Sequence, residues 1–291
     1  MPKNVARSII DHLSQKQDED VVLKKSSAIS GGCINEASMI HTSIGLFFVK
    51  WNSASLYPGM FEAEAKGLQL LRRTGYVYVP EVIATGEANN TSWLLLELIR
   101  PGKQINGFYT DFGKSLAKMH KKSSDYFGLS YDNYIGSLPQ SNQKRENWID
   151  FFIEERLEKQ IKMAFSNGKI GQDTINRFNN LYKYLHDFFP EEPPALLHGD
   201  LWSGNYMLSE EGKACIIDPA VYYGHRLMDI GMSKLFGGFT NEFYSSYFEE
   251  YPIGINWENS IDIANLYPLM VHVNLFGGGY KGSVDNVLRK F

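Results

Sequence analysis

The run His198-Gly199-Asp200-Leu201-Trp202-Ser203-Gly204-Asn205 concentrates the residue types that phosphoryl transfer needs. Asp200, Leu201 and Asn205 keep the D-L-x-x-x-N spacing of a phosphotransfer catalytic loop. The chemistry explains the spacing. A carboxylate accepts a hydrogen bond from the attacking hydroxyl, and a nearby amide oxygen helps to hold the cation on the phosphates. Alone, the pattern is equally an Asp and an Asn in a surface turn. Downstream, Asp218 follows the apolar run Ala214–Ile217 and opens Asp-Pro-Ala. A carboxylate at the end of a buried strand, just after such a loop, is placed to ligate Mg²⁺. An Asp opening a turn before Pro219 is the plainer reading. The order loop, turn, strand, Asp favours a metal pair of Asn205 and Asp218.

Upstream, Lys50 ends Leu-Phe-Phe-Val-Lys, where a strand lysine contacts the α- and β-phosphates of a nucleotide. A carboxylate on the next helix must fix it, and Glu62 and Glu64 are both available. Register favours Glu64, because Glu62 lies nearer the helix start, where it serves the helix dipole. The turn Ser-Gly-Gly-Cys-Ile-Asn is not G-x-G-x-x-G, and a Gly-Gly pair also suits an ordinary hairpin. Gly31, Gly32 and Cys33 nevertheless stand where backbone amides can approach phosphates. Trp93–Ile99 reads as a strand running into a hinge, so adenine should bond to main-chain groups near Glu97 and Ile99. The histidines lack zinc-ligand spacing. Ser203 has no G-x-S-x-G setting. Asp229, in His-Arg-Leu-Met-Asp, reads as a structural brace that accepts backbone N–H bonds from the catalytic loop.

These residues need two kinds of support. A helix is predicted from Asn4 to about Leu13, then three antiparallel strands between Val21 and Trp51 with the Gly-rich turn between the first two. Phe61, Ala65, Leu68 and Leu71 recur at helical spacing after Pro58. Strands are predicted at Val82–Glu87 and Trp93–Ile99. Pro101-Gly102 marks a hinge. Beyond it, apolar stripes at Phe112, Leu116 and Met119, at Ile153, Leu157 and Ile161, and from Ile175 to Phe189 predict helices. Pro190, Pro193 and Pro194 stop the last of these. Two short strands then lead into Asp200 and Asp218. The fold class is α+β, a protein-kinase-like bilobal plan. A small β-rich lobe would span residues 1–100 and a larger, mainly helical lobe residues 101–291.

With 291 residues, 43% hydrophobic and 21% charged, the composition is that of a globular protein large enough for two lobes. The net charge of −4, without a basic stripe, argues against nucleic acid and against an anionic membrane surface. No apolar run approaches the roughly 18 residues of a membrane span. The N-terminal stretch is too polar for a secretory signal. Cys33 and Cys215 are too few for a disulfide framework, so a reducing cytoplasm is expected.

Several longer stretches carry a more specific likeness. HGDLWSGN, IIDPA, DNYIGSLPQSN (132–142) and NWIDFFIEERL (147–157), with GGCINEAS, FVKWN, MFEAEAKGL and NLFGGGY, resemble the fructosamine kinase (ketosamine 3-kinase) family over nearly the whole chain. The resemblance implies ATP- and Mg²⁺-dependent phosphorylation at O3 of a ketosamine sugar, with Asp200 as proton acceptor. The product would decompose and release the amine, a deglycation. The implied partner is a small-molecule or protein-bound glycated amine. One departure is Leu227, where relatives commonly carry an acid. Trp202 reads either as a packing aromatic or as a substrate wall for the sugar or its cationic amine. The resemblance also marks Cys33 as redox-sensitive, so the protein would be a monomer or a homodimer joined through oxidised Cys33. Cys215, on an apolar strand, should be buried and unreactive. Two competing readings are a phosphotransferase for another hydroxyl, aminoglycoside- or choline-like, and an inactive nucleotide-binding module.

Overall fold

Helix α1 (Lys3–Gln17) presents Val5, Ile9 and Leu13 at i, i+4 spacing, and all three are buried. They join Ile40, Val49, Trp51, Trp93 and Leu95 in one core cluster. That core lies against a five-stranded antiparallel sheet of β1 (Leu23–Ile29), β2 (Glu36–Thr42), β3 (Leu46–Ser53), β4 (Val82–Ala88) and β5 (Thr91–Glu97). The strand order is β1-β2-β3-β5-β4. Helix α2 (Met60–Arg72) packs on β4 and β5 through a face that includes Phe61, Leu68 and Leu71. This is a computed structural model, and it describes residues 1–29, 35–254 and 257–291. Gly31, Gly32 and Cys33 lie outside the described residues.

The chain divides into two compact units, and the division is not a single cut in the sequence. The first unit holds Met1–Ile105 together with Met207–Ile217; the second holds Asn106–Tyr206 and Asp218–Phe291.

The second unit is mainly helical. It opens with α3 (Phe108–His120) and a two-stranded hairpin of β6 (Asn133–Ile135) and β7 (Leu138–Gln140). The stripe predicted through Ile153, Leu157 and Ile161 proves to be three joined pieces. They are α4 (Trp148–Phe151), a π-helical turn (Phe152–Leu157) and α5 (Glu158–Ser166). The wider π turn buries the adjacent pair Glu155 and Arg156 together. Helix α6 (Gln172–Leu181) tightens into a 3₁₀ turn before the proline cluster, and β8 (Ala195–Leu197) leads into the catalytic loop.

The β9 (Tyr206–Leu208) and β10 (Ala214–Ile216) hairpin falls with the first unit from Met207 onward. There the Gly102 N–H donates to the Leu208 carbonyl, and the Ile216 N–H donates to the Tyr78 carbonyl. A Cβ on Gly102 would sit 2.0 Å from the Ser209 carbonyl oxygen, so that position must be glycine. In the second unit, β11 (Tyr222–Gly224) pairs with β8. Helices α7 (Leu227–Leu235), α8 (Asn241–Glu250), α9 (Glu258–Ala264), α10 (Leu266–Phe276) and α11 (Gly279–Leu288) complete it. Among the described residues, no helix is long and apolar enough to cross a membrane.

His225 and Arg226, between β11 and α7, anchor this part of the unit. Arg226 forks onto the Glu192 carboxylate, donates to the Tyr251 and Pro252 carbonyls, and lies over the Tyr251 ring. Leu227 is wholly buried at the start of α7. His225 packs against the rings of Trp148 and Phe189. Its Nε2 faces the Pro190 carbonyl, and its Nδ1 accepts from the Leu227 N–H.

Burial pulls the His225 pKa down to about 4, against the opposing pull of Glu192 and with a further push from Arg226. A histidine depressed in the folded state takes up its proton more readily when unfolded. Its contribution is therefore complete above the unfolded pKa of 6.5 and is lost as pH falls from there through 4. The expected loss is on the order of 3 kcal/mol. Urea unfolding at a series of pH values should show it, and His225→Gln should have a flatter profile across that window. Parallel profiles for variant and wild type would contradict this assignment.

Candidate active site

In the first unit, β3 places Lys50 opposite Leu94 of β5, where it is 4% exposed. A buried ammonium needs a carboxylate, and α2 supplies Glu64, whose Oε1 is 2.5 Å from Lys50 Nζ. Glu62, one residue pair earlier on the helix, is exposed. At the end of β5, the Glu97 carboxylate accepts from the Tyr78 hydroxyl at 2.6 Å and from the Glu81 N–H at 3.0 Å. Arg72, at the end of α2, lies 3.6 Å away. The Glu97 side chain thus ties α2 to the sheet. Ile99 follows as a buried side chain. Behind this segment, Cys215 on β10 is a free, fully buried thiol. Burial and nearby Glu97 push its pKa up to about 12, which makes it unreactive.

In the second unit, Asp229 holds the backbone at the start of the loop His198–Asn205. Helix α7 carries this side chain to a fully buried position. It accepts the His198 N–H at 2.7 Å and the Gly199 N–H at 2.8 Å. His120 Nε2 is 3.1 Å from the same carboxylate, and His120 Nδ1 is 2.7 Å from the Tyr247 hydroxyl. The network assigns the tautomer: Nε2–H donates to Asp229, and the tyrosine hydroxyl donates to Nδ1. Burial raises the Asp229 pKa, but the hydrogen bonds from His120 and the Gly199 amide outweigh it and hold the carboxyl below its ordinary value.

The braced loop presents Asp200. Asn205, on a 3₁₀ turn (Ser203–Asn205), donates through Nδ2 to the Asp200 backbone oxygen and to Oδ2, both at 2.9 Å. Those bonds fix the amide and leave its Oδ1 out of them, an oxygen suited to a hard cation. Asp218 follows at φ +55°, a left-handed conformation that aspartate tolerates better than most residues. Asp200 keeps a solvent-accessible edge although protein surrounds it deeply. Burial pushes its carboxyl up to about 7; Asn205 pulls it down, while the Asp218 and Asp229 charges push it further up. Such a like-charge cluster suits a divalent cation. Among the described residues no three His, Cys, Asp or Glu side chains form a self-contained cage. The Asn205 amide oxygen and the Asp218 carboxylate are oxygen donors of the kind that could hold a hard cation. Trp202 is 37% exposed, with its ring lying over Gly204 and against Phe236.

Sequence reasoning missed the polar network that holds the backbone just past Asp218. Asn133 Nδ2 donates to the Val221 carbonyl at 2.8 Å, and Gln140 Nε2 donates to the Ala220 carbonyl at 3.1 Å. Asn142 bridges Asn133 to Arg156, and the Tyr267 hydroxyl donates to Gln140 Oε1 at 2.6 Å. The Arg156 guanidinium is wholly buried and lies over the rings of Tyr222 at 3.9 Å and Phe151 at 4.5 Å. The signal was present in the stretches 132–142 and 147–157, but a buried amide cannot be told from an exposed one by type. Nor does the spacing of the histidines mark His120 as the partner of Asp229.

Gly199 is the tightest point of the loop. Its φ is +83°, and a Cβ there would lie 2.0 Å from the Ala220 carbonyl oxygen. Gly199→Ala combines left-handed strain with a backbone clash, so it should cost roughly 2–4 kcal/mol of stability. Chemical denaturation of variant and wild type checks this; an unchanged midpoint would mean the loop is looser than drawn.

A family model described as fructosamine kinase matches residues 5–291. The chain is 39% identical over 272 residues to the chloroplastic protein-ribulosamine 3-kinase of Arabidopsis thaliana, covering 91% of this chain and 82% of that one. A crystal structure of a fructosamine-3-kinase candidate from Haemophilus somnus matches with a TM-score of 0.88 and 30% identity, covering 97% of this chain and 96% of the other. A likeness in fold alone reaches an aminoglycoside phosphotransferase, with a TM-score of 0.58 and 13% identity over 98% of each chain. The protein has the α+β kinase-like fold, and it belongs to the fructosamine kinase family of phosphotransferases.

Proposed function

We propose that this kinase transfers the γ-phosphoryl group of ATP to the C3 hydroxyl of a ketosamine sugar, marking a glycated amine for release. The observation that carries this reading is Asp200, fixed by Asn205 on a loop that Asp229 holds by two backbone amides. The sugar and its position rest on the names of the relatives. Asp200 accepts a hydrogen bond from the acceptor hydroxyl and aims its oxygen at phosphorus, which is most of what phosphoryl transfer asks of a protein group. Lys50, held by Glu64, binds the α- and β-phosphates. On the sequence alone, Gly31, Gly32 and Cys33 are assigned to phosphate binding. Main-chain groups near Glu97 and Ile99 take the adenine. Asn205 and Asp218 would hold Mg²⁺, which would supply positive charge against the phosphates. Trp202 forms a wall for the acceptor. A reducing compartment such as the cytoplasm suits the free thiol of Cys215.

The test is phosphorylation of a panel containing fructoselysine, ribuloselysine and an aminoglycoside. The ketosamines should give the higher kcat/KM, and Asp200→Asn should lower kcat by about two to four orders of magnitude with nucleotide affinity retained. Preference for the aminoglycoside, or wild-type turnover by Asp200→Asn, would overturn the reading.

A further inference from the structure

Two helices of the second unit end on the same four residues. Helix α7 runs into Leu235-Phe236-Gly237-Gly238, and α10 into Leu275-Phe276-Gly277-Gly278. All four glycines have positive φ, between +62° and +90°, so each chain turns sharply away just after its phenylalanine. The phenylalanines are left in view, Phe236 at 38% and Phe276 at 58% exposure.

Both rings pack on His272, at centroid distances of 5.0 and 5.6 Å, and Tyr280 packs on it at 4.8 Å. His272 is therefore the hub of an aromatic strip. The strip is continuous with the candidate acceptor site at two points. His272 lines a small cavity together with Asp200, Tyr222, Tyr267 and Met232. Phe236 touches the Trp202 ring at 5.9 Å, two residues beyond Asp200. Gly238 seats this end of the strip, since a Cβ there would meet the Ser203 side chain at 2.3 Å.

The strip is also neutral. Lys234 lies over the rings of Tyr244 and Trp257, and Lys281 pairs with Asp285 at 2.6 Å. His272 donates Nδ1–H to the Pro268 carbonyl, and burial lowers its pKa. Aromatic faces without charge bind flat, uncharged groups such as peptide units and apolar side chains. They give no partner to the carboxylate of a free amino acid, which a peptide bond removes.

We infer that Phe236, His272, Phe276 and Tyr280 form an amine-side subsite that receives the uncharged peptide chain flanking a glycated side chain. The inference rests on the ketosamine reading of the site. Its consequence is a preference for a ketosamine within a peptide over the same ketosamine on free lysine, expressed in KM.

The experiment compares two acceptors that share the ketosamine and differ only on the amine side. One is glycated free lysine; the other is a short glycated peptide blocked at both ends. Wild type should have a KM about tenfold lower for the peptide, a difference of roughly 1.4 kcal/mol. Phe236→Ser and Phe276→Ser should each shrink that ratio to about twofold or threefold, while the KM for ATP holds and kcat on the peptide changes little. An unchanged ratio in both variants, or equal KM values in the wild type, overturns the subsite. Turnover of neither ketosamine by wild type would instead overturn the proposed function on which the subsite rests.

Discussion

A single buried carboxylate, Asp229, organises the catalytic loop. Taking a charge out of water is costly unless hydrogen bonds replace the lost hydration. Asp229 recovers that cost from the amides of His198 and Gly199 and from His120. The donors come from two separate stretches of chain, the loop and α3, so satisfying one charge ties both to α7. Helix α7 delivers the carboxylate, α3 delivers His120, and α8 delivers Tyr247, which completes the imidazole. The packing of α3 on α8 is the support that keeps this chain of donors in line.

The loop so held has room only for glycine at position 199, beside the Ala220 carbonyl, and Asp218 sits at positive φ, a conformation that costs a non-glycine residue. Such conformations persist only when surrounding contacts over-determine them. Asn133 and Gln140 supply those contacts by binding the Val221 and Ala220 carbonyls, and Arg156 holds the amides in turn. The arginine needs no carboxylate of its own, because aromatic faces and carbonyl oxygens surround its guanidinium. The first unit follows the same logic on a smaller scale. There, Lys50 and Glu64 compensate one another at a buried position.

Sequence periodicity carried most of the elements, because apolar spacing reports directly on which face is buried. The five-stranded sheet, α1 and α2 were legible on that ground, as were the short strands before Asp200 and Asp218. The choice of Glu64 over Glu62 was legible because helix register alone decides which carboxylate reaches the strand. The β6–β7 hairpin was not legible. Its strands are three residues long, and its chemistry lies in buried amides that carry no periodic signal. The π turn was hidden for a related reason: one extra residue per turn keeps the apolar stripe but rotates Glu155 and Arg156 inward. Nor could the sequence show that Met207–Ile217 falls with the first unit, since hydrogen bonds from Gly102 and Ile216 decide that.

The brace by Asp229 is best tested by amide hydrogen exchange at His198 and Gly199 in wild type and Asp229→Asn, alongside kcat. An amide side chain keeps the shape but loses the charge and one acceptor oxygen. Both backbone amides should then exchange at least tenfold faster, by the loss of about 1.4 kcal/mol or more of local protection, and kcat should fall with them. Unchanged protection at both amides would contradict the account, and would mean that the loop is held by its own turns rather than by the carboxylate beneath it.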